Sequence, residues 1–173
     1  MILGIDVARE LGLIENLCER ELKNPEGCGF DIRVSEIFKI KNDGFLGVED
    51  RKTPDIETIA KHDKNKEYFL KPGEYVLIKT IEKLNLPENV AALTFPRSTL
   101  QRCGILLLAT QSSPGYKGEL IFGLKNLGDK NFKLELGSRI AHVIFCEVKG
   151  RSAKYRGQWQ GGRVTTENKE SQV

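Results

Sequence analysis

The chain has 173 residues, of which 39% are hydrophobic and 29% charged, values that exclude wholesale disorder and suit one domain with a core needing neither disulfide nor metal. Its 27 Lys and Arg against 24 Asp and Glu leave a net charge of only +3, too small and too dispersed to predict a nucleic-acid partner. The longest apolar run, Ile105 to Ala109, is too short to cross a bilayer, and MILGIDVARELGL lacks the pattern of a secretory signal, so the expectation is a cytoplasmic protein with no membrane partner.

Residues 5 to 22 carry Val7, Leu11, Ile14, Leu17 and Cys18 at helical spacing, which predicts one short amphipathic helix. Asn24-Pro25-Glu26-Gly27 breaks it. Phe30, Ile32 and Val34 then alternate with Asp31, Arg33 and Ser35, the period of a half-buried strand. From Lys39 to Lys66 the chain is charged and punctuated by Gly44, Gly47 and Pro54. It reads as an exposed excursion with a helical turn at Asp55 to His62, and no chemistry is assigned to it. After the Pro72-Gly73 turn, Tyr75 to Ile81 is rich in β-branched and aromatic residues. Val90 to Phe95, Gly104 to Thr110, Leu120 to Leu124, Phe132 to Leu136 and Ile140 to Val148 follow, separated by turns at Pro114-Gly115, Gly128-Asp129 and Gly137-Ser138. So many short, punctuated strands predict an all-β sandwich or barrel over residues 1–150. Residues 151–173 form a C-terminal arm, glycine-rich and basic from Lys154 to Arg163, polar and mobile at its end. Cys18, Cys28, Cys103 and Cys146 show no CxxC pair and no metal-ligand spacing; they are expected to be buried small hydrophobes.

Three segments have residues suited to binding chemistry. Arg97, Ser98, Thr99, Leu100, Gln101 and Arg102 follow a strand end, and guanidinium forks with hydroxyls suit phosphate oxygens. Ser112 to Leu120 is a tight turn feeding a strand, with Gly115 and Gly118 allowing close approach and Tyr116 available to stack on a sugar or base. The arm offers lysine, arginines and amides to a polyphosphate. No GxxxxGK[ST] loop, nucleophile elbow, dinucleotide fingerprint or zinc-deaminase signature is present.

Taken in order, these segments resemble the motifs of the dUTPase and dCTP deaminase family. Gly29-Phe30-Asp31-Ile32-Arg33 is similar to its first motif, and Leu70 to Tyr75 with Leu84 to Pro87 to the hairpin region before its second. Pro96 to Arg102 is similar to its Arg-Ser-Ser loop, with Arg102 the version typical of the deaminases. Pro114-Gly115-Tyr116-Lys117-Gly118, Gly137 to Ala141 and Lys154 to Gln158 resemble the turn, the late strand and the closing tail. The resemblance covers about residues 27 to 164. It implies a distorted jelly-roll barrel of the dUTPase-like type, a homotrimer, and dUTP or dCTP as ligand with Mg2+ on the triphosphate. It further implies triphosphate contacts from Arg97, Ser98, Thr99, Arg102, Lys154 and Gln158, and a sugar platform at Tyr116. Base reading falls to the strand Ile121, Phe122 and Gly123.

Two departures matter. The aspartate expected three residues before the turn aromatic is Ser113, and the deaminase glutamate seven residues after it is Gly123. A serine hydroxyl is no base at neutral pH without its own activator. Glu119 does not substitute, because four residues of strand span roughly 13 Å. The leading expectation is hydrolysis of dUTP to dUMP and pyrophosphate, with dCTP deamination and catalytically silent nucleotide binding as alternatives. Asp31 is the next candidate for a base.

Overall fold

The computed structural model describes residues 1–172. β1 (Ile2–Leu3) is followed by α1 (Ile5–Glu10), β2 (Ile14–Glu15) and α2 (Glu19–Lys23). The long β3 (Gly29–Ile40) leads into β4 (Phe45–Leu46), β5 (Asp50–Lys52) and β6 (Ile56–Lys61), then β7 (Glu67–Leu70), β8 (Tyr75–Asn85) and β9 (Val90–Pro96). α3 (Ser98–Arg102) precedes β10 (Ile105–Leu108), β11 (Lys117–Asn126), β12 (Phe132–Glu135) and β13 (Arg139–Glu147), and β14 (Glu170–Ser171) lies in the arm.

The central sheet is antiparallel and runs β1-β13-β3-β8-β11-β10, with β2 added on β8, β6 on β3 and β9 on β13. β3 makes it curl. Gly29 to Arg33 pair with β13, while Val34 to Ile40 pair with β8 and β6, with a register shift at each changeover. One strand thus serves both halves, and bulges supply the bend. The enclosed core includes Phe30, Ile32, Val34, Ile78, Leu124, Val143 and Phe145, all fully buried. The all-β, curled-sheet expectation is met.

β8 shows how the pattern sets the burial. Its residues alternate in and out over its whole length, and two of the inward side chains, Thr80 and Glu82, are polar. Buried polar groups need partners. Thr80 Oγ1 donates to the Glu82 carbonyl (2.8 Å) and accepts from Leu120 N–H (2.9 Å). The Glu82 carboxylate accepts from Arg33 N–H (2.7 Å) and Arg33 Nε (2.6 Å). Arg33 is thereby spent on the structure, as a strand residue beside a buried acid must be.

Three local expectations are corrected. The single helix over residues 5–22 is two short helices, because Gly12 (φ 61°) ends the first and β2 pairs with β8 at Ile14↔Leu84. The helical turn at Asp55 to His62 is instead β6, paired with β3; tertiary pairing overrides a charged, weakly patterned stretch. The cysteines are not buried: Cys28 and Cys103 are exposed and Cys18 and Cys146 half-buried, all as free thiols. No helix among the described residues is long and apolar enough to cross a membrane.

Candidate functional site

A cavity of about 470 Å³ opens where β10 stops covering β11. β10 pairs with β11 only as far as Leu108↔Gly123, so from Phe122 back towards Lys117 one edge of β11 has no strand partner on that side among the described residues. Ser112, Ser113 and Tyr116 line the cavity from the turn, Leu120, Ile121 and Phe122 from β11, and Tyr155, Trp159 and Arg163 from the arm. Tyr116 is buried, and burial raises its phenol to about 12, so it stays protonated; its hydroxyl donates to the Glu119 carbonyl. Its ring meets Tyr155 edge-on at 5.4 Å.

The strand under the cavity is irregular. Its register against β8 shifts between Glu119 and Ile121, and Leu120 N–H is taken by the Thr80 hydroxyl instead of the ladder. Simple alternation therefore fails here, and Leu120, Ile121 and Phe122 all reach the cavity wall. Gly123 sits beneath Tyr75. A methyl group at 123 would stand 2.9 Å from Tyr75 Cε2 and Cζ, with the phenolic oxygen nearer still.

The arm is docked on its own chain. Tyr155 N–H donates to the Pro114 carbonyl (2.7 Å), Gly161 N–H to the Lys117 carbonyl (2.7 Å), and Gln160 Nε2 to the Gly115 carbonyl (3.0 Å). Gly118, at φ 136°, permits this: a side chain there would lie 2.6 Å from the Gly161 carbonyl carbon. Further along, β14 pairs with β5 and Thr166 is buried against Thr53. Val173, the last residue of the arm, lies outside the described residues.

The excursion read as chemically empty in fact reaches this site. Thr53, Pro54 and Ile56 line the cavity. Arg51 donates through Nε to Gln158 Oε1 (2.5 Å) and stacks on Trp159 at 5.1 Å. Only the pairing of β5 with β14 brings these residues together, so no local signal marked Arg51. Trp159, the single tryptophan, sat inside a segment already read as binding but was not singled out.

The Arg-Ser-Thr segment lies elsewhere. None of residues 97–102 lines the first cavity. Arg97, Thr99 and Leu100 border a cleft of about 840 Å³ that also receives Arg20, Arg33, Lys133 and Arg139, and Ser98 faces a smaller hollow beside Asp31 and His142. Ser98, Thr99, Gln101 and Arg102 are exposed, and Arg102 Nη1 donates to the Ser98 carbonyl (3.2 Å). Leu100 is buried in the core, where it anchors α3, and shows only a sliver of its surface to the cleft. Gln158 is held by Arg51, and Lys154 lies exposed near Glu88 at 3.7 Å.

Asp31, the next candidate for a base, is held in a cluster of ion pairs. Its buried carboxylate accepts from Arg97, from Arg139 Nη1 at 3.0 Å and meets His142 Nδ1 at 2.9 Å. Burial alone would raise its pKa, but the His142 hydrogen bond and the two guanidinium charges outweigh burial and hold it below the ordinary range. It also lies outside the cavity.

Comparison with known proteins agrees with this geometry. A family model described as dCTP deaminase-like matches residues 7–148. The deoxyuridine 5'-triphosphate nucleotidohydrolase of Methanocaldococcus jannaschii is 31% identical over 163 residues, covering 93% of this chain and 99% of its own. The dCTP deaminase of Campylobacter curvus is 34% identical over 140 residues, covering 78% and 75%. The solved structure of 2'-deoxycytidine 5'-triphosphate deaminase from Agrobacterium tumefaciens superposes with a TM-score of 0.65 at 17% identity. It covers 83% of this chain, which spans about half (48%) of that one, and shows the shared fold. The curled sheet is thus a fold shared with a dCTP deaminase, and the relatives in sequence are named as dCTP deaminases and deoxyuridine triphosphate nucleotidohydrolases. The chain belongs to the dCTP deaminase-like family.

Proposed function

We propose that this chain binds a pyrimidine deoxynucleoside triphosphate and cleaves dUTP to dUMP and pyrophosphate. The observation that carries the reading is the meeting, at one cavity, of the Ser112–Tyr116 turn, the open edge of β11 and the C-terminal arm. A mostly apolar wall with a few polar groups and a free backbone edge suits a planar base. Tyr116 serves the deoxyribose, and Ile121 to Gly123 read the base. The likeness to the Methanocaldococcus jannaschii nucleotidohydrolase over nearly both full lengths supports hydrolysis over deamination.

The triphosphate needs the basic residues of α3, which lie away from this cavity in a single chain. The reading therefore includes a homotrimer, in which Arg97, Ser98, Thr99 and Arg102 of another copy reach the phosphates, joined by Lys154. Magnesium arrives on the nucleotide. Phosphate oxygens and water would hold it there, which suits an ion that keeps most of its hydration.

In the reaction, water oxygen attacks the α-phosphorus, the bond to the bridging oxygen breaks, and pyrophosphate leaves. The water's proton needs an acceptor, and no carboxylate lines the cavity among the described residues. Positioning and electrostatics remain, so turnover should be slower by about 10² to 10⁴ than with a general base. The same observation favours, in second place, a binding-only role.

One assay separates the readings. The protein is incubated with dUTP, dCTP or dTTP plus magnesium and the products resolved by chromatography, for the wild type and for Ser113→Asp. Slow dUMP and pyrophosphate from the wild type, accelerated by the added carboxylate, is the expected result. Formation of dUTP from dCTP would replace it with deamination, and binding without turnover in both proteins would leave the silent role.

A further inference from the structure

Tyr75 opens β8 and stands opposite Lys125 of β11, so its ring lies diagonally across Gly123, two residues away on the neighbouring strand. The backbone of Gly123 is not in the left-handed region, so conformation does not demand glycine there. Space does, because the Tyr75 ring and hydroxyl fill the volume a side chain would occupy. An aromatic ring over a strand glycine can be simple packing, and that account leaves the hydroxyl without a role.

The hydroxyl is the informative part. Tyr75 lines the cavity. Burial alone raises its pKa, with no protein hydrogen bond contributing. It is thus a protonated, half-buried phenol at neutral pH in a residue of the cavity wall, and no protein acceptor takes its proton among the described residues. Six other hydroxyls, the Trp159 indole N–H, Gln111 and Arg163 make up the rest of the polar wall, and Arg163 is already paired with Glu170 at 2.5 Å.

We infer that Tyr75 determines the base specificity of this cavity: its hydroxyl donates to the carbonyl edge of a uracil-type base, and its ring takes the space that a side chain at position 123 would enter. The inference rests on the reading of the cavity as a pyrimidine-nucleotide site. A phenol donates to the carbonyl at C4 of uracil, whereas towards the amino group of cytosine it can only accept, with its own proton turned away from the base. A cavity with this wall accepts uracil nucleotides, and an acid at 123 would have to displace the Tyr75 ring.

Calorimetry on the full chain with magnesium tests both halves, using α,β-imido-dUTP and α,β-imido-dCTP as probes. Tyr75→Phe keeps the ring and removes the hydroxyl. It should weaken the uracil probe by about five- to tenfold, the worth of one hydrogen bond, and narrow its advantage over the cytosine probe equally. A phenylalanine variant that binds both probes like the wild type overturns the inference about Tyr75 alone. A wild type that binds neither probe overturns the nucleotide reading itself. For the steric half, Gly123→Ala should lower the melting temperature in the wild-type background and do so less beside Tyr75→Ala, since the two sites share one volume. Equal effects in both backgrounds would show that the ring is no barrier.

Discussion

At the residue scale, the carboxylate of Asp31 decides more than its place in a motif would suggest. It lies between Arg97 and Arg139, with His142 on its other oxygen, and its own N–H donates to the fully buried Glu21 at 3.0 Å. It therefore fixes the direction of Arg97, the first residue of the phosphate segment, instead of moving protons. Because its folded pKa is depressed, its contribution to stability is complete above the ordinary aspartate pKa of about 3.9 and is lost as pH falls through the folded value. Asp31→Asn leaves two guanidinium groups without that charge, which should cost about 3 kcal/mol at pH 7. Thermal unfolding followed from pH 7 to pH 3 should show the gap to the wild type closing at the acid end. A gap that stays constant with pH would mean that the charge is not what Asp31 supplies.

At the scale of elements, the arm and the turn form one unit. Six of the arm's residues meet the segment Pro114–Glu119 or the cavity, yet the arm carries little of the apolar core and includes several glycines. A segment held by backbone hydrogen bonds at the surface lies at the low end of local stability. Amide exchange over residues 152–164 should therefore be measurable in the free protein and slow further when nucleotide is added. Gly118→Ala should loosen the arm, because the added methyl meets the Gly161–Gly162 backbone at 2.6 Å, and its exchange should rise even without ligand. Unchanged exchange in that variant would detach the arm's docking from the glycine. The link between Arg51 and Gln158 adds a choice to be made on binding: Gln158 must leave Arg51 to reach a phosphate, or Arg51 must come with it.

At the scale of the molecule, the two halves of the proposed site share no lining residue within one chain. The cavity holds the turn, β11 and the arm, and the basic cleft holds α3 with Arg20, Arg33 and Arg139. Assembly into a trimer is the arrangement that would join them. Light scattering should then report three copies, and Arg102→Ala, on an exposed residue that the fold does not need, should weaken nucleotide binding while leaving mass and melting temperature unchanged. A stable monomer that binds nucleotide at full affinity would contradict the arrangement.

What the sequence determined by itself was what short-range physics controls. Alternation marked β3, β-branched and aromatic runs between turns marked β8, β11 and β13, and the Pro-Gly and Gly-Ser pairs placed the turns. The ordered motifs pointed to Tyr116, Ser113 and the arm as candidates, and to Ser113 and Gly123 as the positions where the family's acids are expected. The tertiary structure decided the rest, because long-range pairing has no local signature. It made strands of Asp50–Lys52 and Ile56–Lys61, and brought Thr53 and Arg51 to the arm across more than a hundred residues of chain. It set Tyr75 over Gly123 from a separate strand, and turned Leu100 inward while Cys28 stayed out. Periodicity along a chain reports which face of a strand is buried, but not which other strand buries it; only the closed sheet supplies that.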